Sequence, residues 1–169
     1  MKKTDIRRLC IYAMLIAIDV VLARFLSVNA WNVRIGFSFV PVVVAALLYG
    51  PVAAAVIHGI ADILGALLFP TGTFFPGFTL TAAVLGLIYG LFLKGRERWV
   101  FALLAVLCGQ IVCTLLLNTA WISILYGSPF VPLLGTRLIQ AVITAPVQFI
   151  VILALQKFAP ALKKAARAG

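Results

Sequence analysis

All but Arg24, Arg34 and Arg137 of the 14 Lys and Arg residues gather in three clusters separated by long apolar stretches. Lys2, Lys3, Arg7 and Arg8 form the first cluster and Lys94, Arg96 and Arg98 the second. Lys157, Lys163, Lys164 and Arg167 form the third. Apolar runs of about 17–25 residues cross a bilayer, and short cytoplasmic loops attract Lys and Arg. An even number of crossings between neighbouring clusters puts all three on one side. The pattern predicts an all-α integral membrane protein with its N and C termini both cytoplasmic.

Composition agrees. Hydrophobic residues make up 64 % of the 169 and charged residues 11 %, and the mean hydropathy is +1.19. A soluble core of this size does not need so much apolar surface. The length suits one transmembrane domain over residues 1–169 and leaves no room for a soluble catalytic domain. The net charge of +10 sits in membrane-flanking clusters, which favours anionic headgroups as its partner. With no basic groove or stacking array, nucleic acid is not expected. Cys10, Cys108 and Cys113 fit no zinc or redox spacing and read as small buried hydrophobes. The basic start and the apolar run ending near Val28-Asn29-Ala30 resemble a cleavable signal. Asp19 and Arg24 interrupt that run, so the segment reads as a retained first span.

Six spans are predicted, making a six-transmembrane-helix bundle. The first runs from about Leu9 to Leu26, and the second, short and carrying Pro41, from Ile35 to Tyr49. Tyr49-Gly50-Pro51 is a turn opening a third span that ends near Phe69, and a turn-rich outer loop follows to Gly77. Phe78 to Leu93 is the fourth span and Trp99 to about Leu125 the fifth. Tyr126 to Pro132 is the last outer loop, and the sixth span ends near Phe158.

Small residues four apart share a helix face and allow close approach in lipid. Ala13 with Ala17, Ala82 with Gly86 and Gly90, and Ala141 with Ala145 have this spacing; internal packing is the default reading. Asp19 lies nearly opposite the Ala13/Ala17 stripe by helical rotation. If Asp19 faces inward, that stripe faces outward, available to a partner protein.

Ionisable groups within spans are costly and so mark function. Asp19, His58, Asp62 and Arg137 are the deepest. One His and one carboxylate are too few for a zinc site, so no metal is expected. His58 and Asp62, four apart, are expected to make interhelical hydrogen bonds or to partner an arginine, and Asp19 with Arg137 is a candidate buried pair. On the outer side stand Arg34, Phe74, Phe75, Phe78, Asn118, Trp121, Tyr126 and Arg137. Aromatic rings stack on flat ligands, amides read their edges, and arginine forks hold carboxylates. The mixture suits a planar heteroaromatic anion; an interfacial aromatic belt with a snorkelling Arg34 explains the same residues.

No phosphate-binding Gly-x-x-x-x-Gly-Lys-[Ser/Thr] loop, Gly-x-Ser-x-Gly or His-Glu-x-x-His motif occurs. An enzyme is not expected, and energy for active transport must come from a partner or an ion gradient. Arg34-Ile35-Gly36-Phe37-Ser38-Phe39, Asp62-Ile63-Leu64-Gly65, Pro70 through Ala82, Leu117 through Gly127 and Arg137-Leu138-Ile139 stand in order along the chain. Together they resemble the folate branch of the substrate-binding S components of energy-coupling-factor (ECF) vitamin transporters. The family often carries Tyr where Phe74 stands, so one hydroxyl contact is missing here.

The resemblance implies a six-helix bundle in a bacterial plasma membrane that captures its vitamin in an outward pocket. It implies that Ala13 and Ala17 contact a transmembrane coupling subunit, that two cytoplasmic ATPases use the ATP, and that the bundle topples to deliver substrate. This chain itself would hold no cofactor. Chemistry then suggests pterin stacked among Phe74, Phe78 and Trp121 and read by Asn118, with Tyr126 nearby. Arg34 or Arg137 would meet the glutamate carboxylates. An S component for another flat vitamin is the alternative. More distant readings are a gradient-driven exporter and a membrane enzyme using His58 and Asp62.

Overall fold

The computed structural model describes residues 3–26, 28–30, 33–70, 74–96, 98–127 and 130–168. Residues 3–5, 28–30, 33–35, 130, 163 and 165–168 are described by their backbone alone. The chain forms α1 (Lys3–Arg24), a hairpin of β1 (Val28–Ala30) and β2 (Val33–Ile35), then α2 (Phe39–Leu48) and α3 (Pro51–Leu68). After them come α4 (Pro76–Leu93), α5 (Trp99–Tyr126) and α6 (Phe130–Ala168). The strands are antiparallel, with Asn29 opposite Arg34, and β2 packs against α6.

α2 is the centre of the bundle, in contact with α1, α3, α4 and α6. Its Val42, Val43, Ala45 and Ala46 are fully buried. A helix apolar on every face belongs in the interior, and Pro41 is tolerated because it falls in the first turn. α2 ends at Tyr49, and Gly50 then takes φ +97°, a conformation that favours glycine. Pro51 opens α3 at a position where its missing N–H costs nothing.

The small-residue stripe on α4 packs internally, as expected. A Cβ on Gly86 would stand 2.5 Å from the Ala54 carbonyl oxygen, and one on Gly90 would strike Pro51. These glycines bring α3 and α4 into backbone contact, where dispersion holds helices together in lipid. Ala141 is buried and Ala145 packs against the core. The stripe on α1 differs: Ala13 and Ala17 are exposed while Asp19 is 1 % exposed. Cys113 is buried, but Cys10 lies exposed on α1, so the expectation of buried cysteines fails for Cys10.

Four helices, α3 to α6, are long and apolar enough to cross a membrane. α2, with 10 residues, spans only about 15 Å. The predicted second span was too long because Ile35 belongs to β2 and the helix starts at Phe39. α1 has 22 residues but carries Asp19 and Arg24 inside it. The hairpin itself was not foreseen. α6 runs 39 residues, past the Phe158 end expected for it.

Two hydrogen bonds, and the electrostatic influence of Arg7 and Arg8 on Tyr49, bring the basic clusters to one end of the molecule. Burial and Tyr12 raise the Tyr49 phenol above its ordinary pKa, while Arg8 and Arg7 oppose that rise. Lys94 Nζ donates to the Tyr49 carbonyl at 3.3 Å, and Gln156 Nε2 to the Arg96 carbonyl at 3.2 Å. The α2–α3 turn, the loop before α5 and the later part of α6 therefore meet.

Close helix contact makes a sharp prediction. Gly86→Ala should lower stability by about 1–3 kcal/mol through overpacking. Gly135→Ala, where an added Cβ meets nothing within 4 Å, should not. Thermal unfolding of the two variants in detergent checks the difference.

Candidate substrate site

Away from the basic end, the six helices surround a partly open cavity of about 260 Å³. α1 gives it Asp19, Ala23 and Arg24, the segment after β2 gives Gly36 and Ser38, and α2 gives Phe39. His58 and Asp62 come from α3, and Phe78, Thr81 and Leu85 from α4. α5 contributes Gln110, Cys113, Thr114 and Asn118, and α6 contributes Arg137, Gln140, Thr144 and Gln148.

Local geometry explains why these side chains converge. In α5 the stretch Gly109–Asn118 is a π-helix. A π-helix is a rare device found mostly at functional sites, and Gln110, Thr114 and Asn118, four residues apart, share one face of α5. The polar residues of α6 follow ordinary helical spacing of three and four, so they form a single stripe. The two faces are tied together: Gln110 Nε2 donates to Gln148 Oε1 at 2.9 Å and to Thr144 Oγ1 at 3.1 Å. Thr144 Oγ1 donates to the Gln140 carbonyl at 2.8 Å, and Arg137 Nη1 to Gln140 Oε1 at 3.2 Å.

The opposite wall is held by ionisable groups. His58 Nδ1 donates to Asp19 Oδ2 at 2.7 Å, joining α3 to α1. Thr79 Oγ1 donates to Asp62 Oδ2 at 2.8 Å, joining α4 to α3. The interhelical bonds expected for His58 and Asp62 are both present. Asp19, for which Arg137 was the candidate partner, pairs with His58 across the α1–α3 contact, and Arg137 Nη1 bonds Gln140 on its own helix.

Of the aromatic residues singled out from sequence, Phe78 lines the cavity. Phe75 meets it edge-on at 6.1 Å between centroids and lies 5.6 Å from Trp121. Trp121 stands behind the wall, its Nε1 donating to Thr81 Oγ1 at 3.0 Å. Gly77 makes room for both rings, since a Cβ there would strike Phe75 and Trp121.

Phe74 and Tyr126, also singled out from sequence, are both exposed and outside the cavity lining. Phe75 is extended just before α4, and neighbouring side chains in extended backbone point to opposite sides. Phe75 turning inward sends Phe74 out. Tyr126 ends α5, about two turns beyond Asn118, the last residue of α5 to line the cavity. Asn118 and Arg137 line it. Arg34 has its backbone in β2, but its side chain lies outside the described residues, as do Thr71, Gly72 and Thr73 of the family-like block.

Sequence reading missed Gln110, Gln140, Thr144 and Gln148. The signal was present as polar residues three or four apart within otherwise apolar helices.

The family model described as "ECF transporter, substrate-specific component" matches residues 7–156. The chain belongs to that family. It is therefore a membrane transporter component, not an enzyme. A protein named "Folate transporter FolT" from Clostridium novyi (strain NT) is 39 % identical over 153 residues, covering 90 % of this chain and 88 % of that one. Another of that name, from Leuconostoc mesenteroides subsp. mesenteroides, is 33 % identical, with coverage of 86 % and 82 %. Among solved structures, "Crystal structure of FolT bound with folic acid" aligns with a TM-score of 0.85 at 34 % identity. It covers 89 % of this chain and 93 % of that chain.

The Asp19–His58 contact in this substrate-specific component is open to test. Removing one partner of a buried pair strands the other, at about 3–5 kcal/mol. His58→Leu should show that loss in detergent unfolding, and Asp19→Leu/His58→Leu should recover most of it. Equal stability of the single variant and the parent would remove the pair from the account.

Proposed function

We propose that this chain is the binding subunit for folate or reduced folates in an ATP-driven ECF uptake transporter of a bacterial plasma membrane. The observation that carries the reading is the partly open cavity, lined by polar and apolar side chains, to which all six helices contribute. The likeness to proteins named for folate transport, one solved with folic acid, supports it. The chain crosses the membrane six times, with α2 completing its crossing through the hairpin segment, and both termini are cytoplasmic. The gathering of the basic clusters at one end supports that sidedness.

Within the cavity, Phe78 stacks on the pterin, backed by Phe75 and Trp121. Asn118 reads the pterin edge and Gln110 adds a second amide beside it. Arg137 and Arg34 meet the glutamate carboxylates, where charge-assisted hydrogen bonds contribute most. Phe74 and Tyr126 stand at the rim. Ala13 and Ala17 dock on a transmembrane coupling subunit, and two cytoplasmic ATPases supply the energy. The loaded bundle topples toward the cytoplasm, which its apolar outer face makes tolerable.

Calorimetric titration of the detergent-purified chain tests the substrate. Folic acid should bind one-to-one without any partner, and riboflavin and thiamine should not. A folded sample that ignores folic acid would overturn the substrate and leave family membership standing. Arg34→Ala and Arg137→Ala should each weaken folate by about tenfold or more, from the loss of a charged hydrogen bond, and weaken pterin much less. Equal losses for both ligands would sink the carboxylate assignment. Ala13→Leu/Ala17→Leu should leave folate affinity intact while abolishing co-purification with the coupling subunit.

A further inference from the structure

At the basic end, the start of α5 and the later part of α6 flank a groove of about 730 Å³. Ile150, Leu153 and Phe158 give it an apolar wall, Trp99 stands beside them, and Arg98 and Lys157 supply its charge. Ile150 lies two helical turns from Lys157, so the groove extends about 10 Å along α6. One end is at the level where Trp and basic residues meet headgroups, and the other is at acyl-chain level.

A groove facing lipid holds lipid, because water has no access at acyl-chain depth. Its charges decide which lipid. No carboxylate lines it among the described residues. The loop carrying Arg98 is held in place: Gln156 Nε2 grips the Arg96 carbonyl at 3.2 Å, and the Arg96 guanidinium lies 4.7 Å from the centre of the Phe101 ring. Arg98 and Lys157 therefore face the groove from fixed backbone. Gln156 also lines it, is 5 % exposed, and its Oε1 has no hydrogen-bond partner among the described residues. That oxygen calls for a donor, which a headgroup hydroxyl supplies.

We infer that the groove between α5 and α6 is a binding site for one anionic, hydroxyl-bearing phospholipid of the phosphatidylglycerol type. The phosphate lies between Arg98 and Lys157, an acyl chain follows Leu153 and Ile150, and the headgroup hydroxyl donates to Gln156. Basic pockets between transmembrane helices bind acidic headgroups in this manner. The site is separate from the folate cavity and does not rest on the folate reading.

Quenching of Trp99 tests it. The full chain is reconstituted in phosphatidylcholine vesicles containing either brominated phosphatidylglycerol or brominated phosphatidylcholine. The Trp99 share of fluorescence is the difference between the parent and Trp99→Phe. Brominated phosphatidylglycerol should win by about fivefold in relative association for each cation. Arg98→Gln/Lys157→Gln should bring the ratio close to one, and each single variant should fall between, so the comparison survives if the double variant does not insert. Free glycerol phosphate should not relieve the quenching. Equal quenching by the two lipids, or an unchanged preference in the variants, would reduce the groove to ordinary annular contact and overturn the site. Relief by free glycerol phosphate would assign it to a soluble anion and overturn it equally.

Discussion

A polar side chain in a bilayer has no solvent to turn to, so the bundle must supply every partner itself. That constraint divides this molecule along its length. Around the basic end the helices touch through Gly86, Gly90, Ala54 and the buried face of α2, with little but apolar atoms between them. Toward the other end the interior turns polar. Asp19, Arg137, Gln110, Gln140 and Thr144 are all buried there; His58 holds Asp19 across α1 and α3, and hydrogen bonds link Gln110, Thr144, Gln140 and Arg137 across α5 and α6. A polar interior in lipid is expensive unless it is fully connected. The residual acceptors at Asp19 Oδ1 and Gln110 Oε1 are then places where a ligand with N–H donors completes a network the protein leaves open.

Precision of that interior comes from features that are costly in themselves. α5 takes the rare π-helical form over the stretch that presents Gln110, Thr114 and Asn118 to the cavity. Gly77 forgoes a side chain so that Phe75 and Trp121 can press against the start of α4, and Thr81 links that helix to Trp121. Phe78 is thus supported by the Phe75 ring, which in turn packs on Trp121. A supported aromatic face loses little freedom when a flat ligand lands on it, which favours affinity through preorganisation.

The helices were legible in the sequence because lipid imposes one strong rule, long apolar runs between charged ends. The same rule made Ala13 and Ala17 face outward once Asp19 was placed inside. What was not legible depends on contacts between distant residues. Nothing local in Val28–Ile35 distinguishes a hairpin from the start of a span, and a one-residue shift in extended backbone exchanges Phe74 for Phe75. The partner of Asp19 was open between an arginine and a histidine, because pairing across helices depends on rotation that composition does not carry. The amides of α5 and α6 were legible in principle, as polar residues at helical spacing, but they carry no charge and drew no attention beside the arginines.

The Asp19–His58 contact links these levels. It fixes the rotation of α1 about its axis, since Asp19 must turn toward α3 to keep its partner. Ala17, two residues earlier, is then carried about 200° away, and Ala13 follows it on the same face. One hydrogen bond at the cavity wall therefore sets which side of α1 meets the membrane. The face proposed for docking and the wall proposed for substrate are two sides of a single helix. A ligand that completes the Asp19 carboxylate's hydrogen bonding would stiffen that setting, and so would favour the docking face without any other part of the bundle having to move.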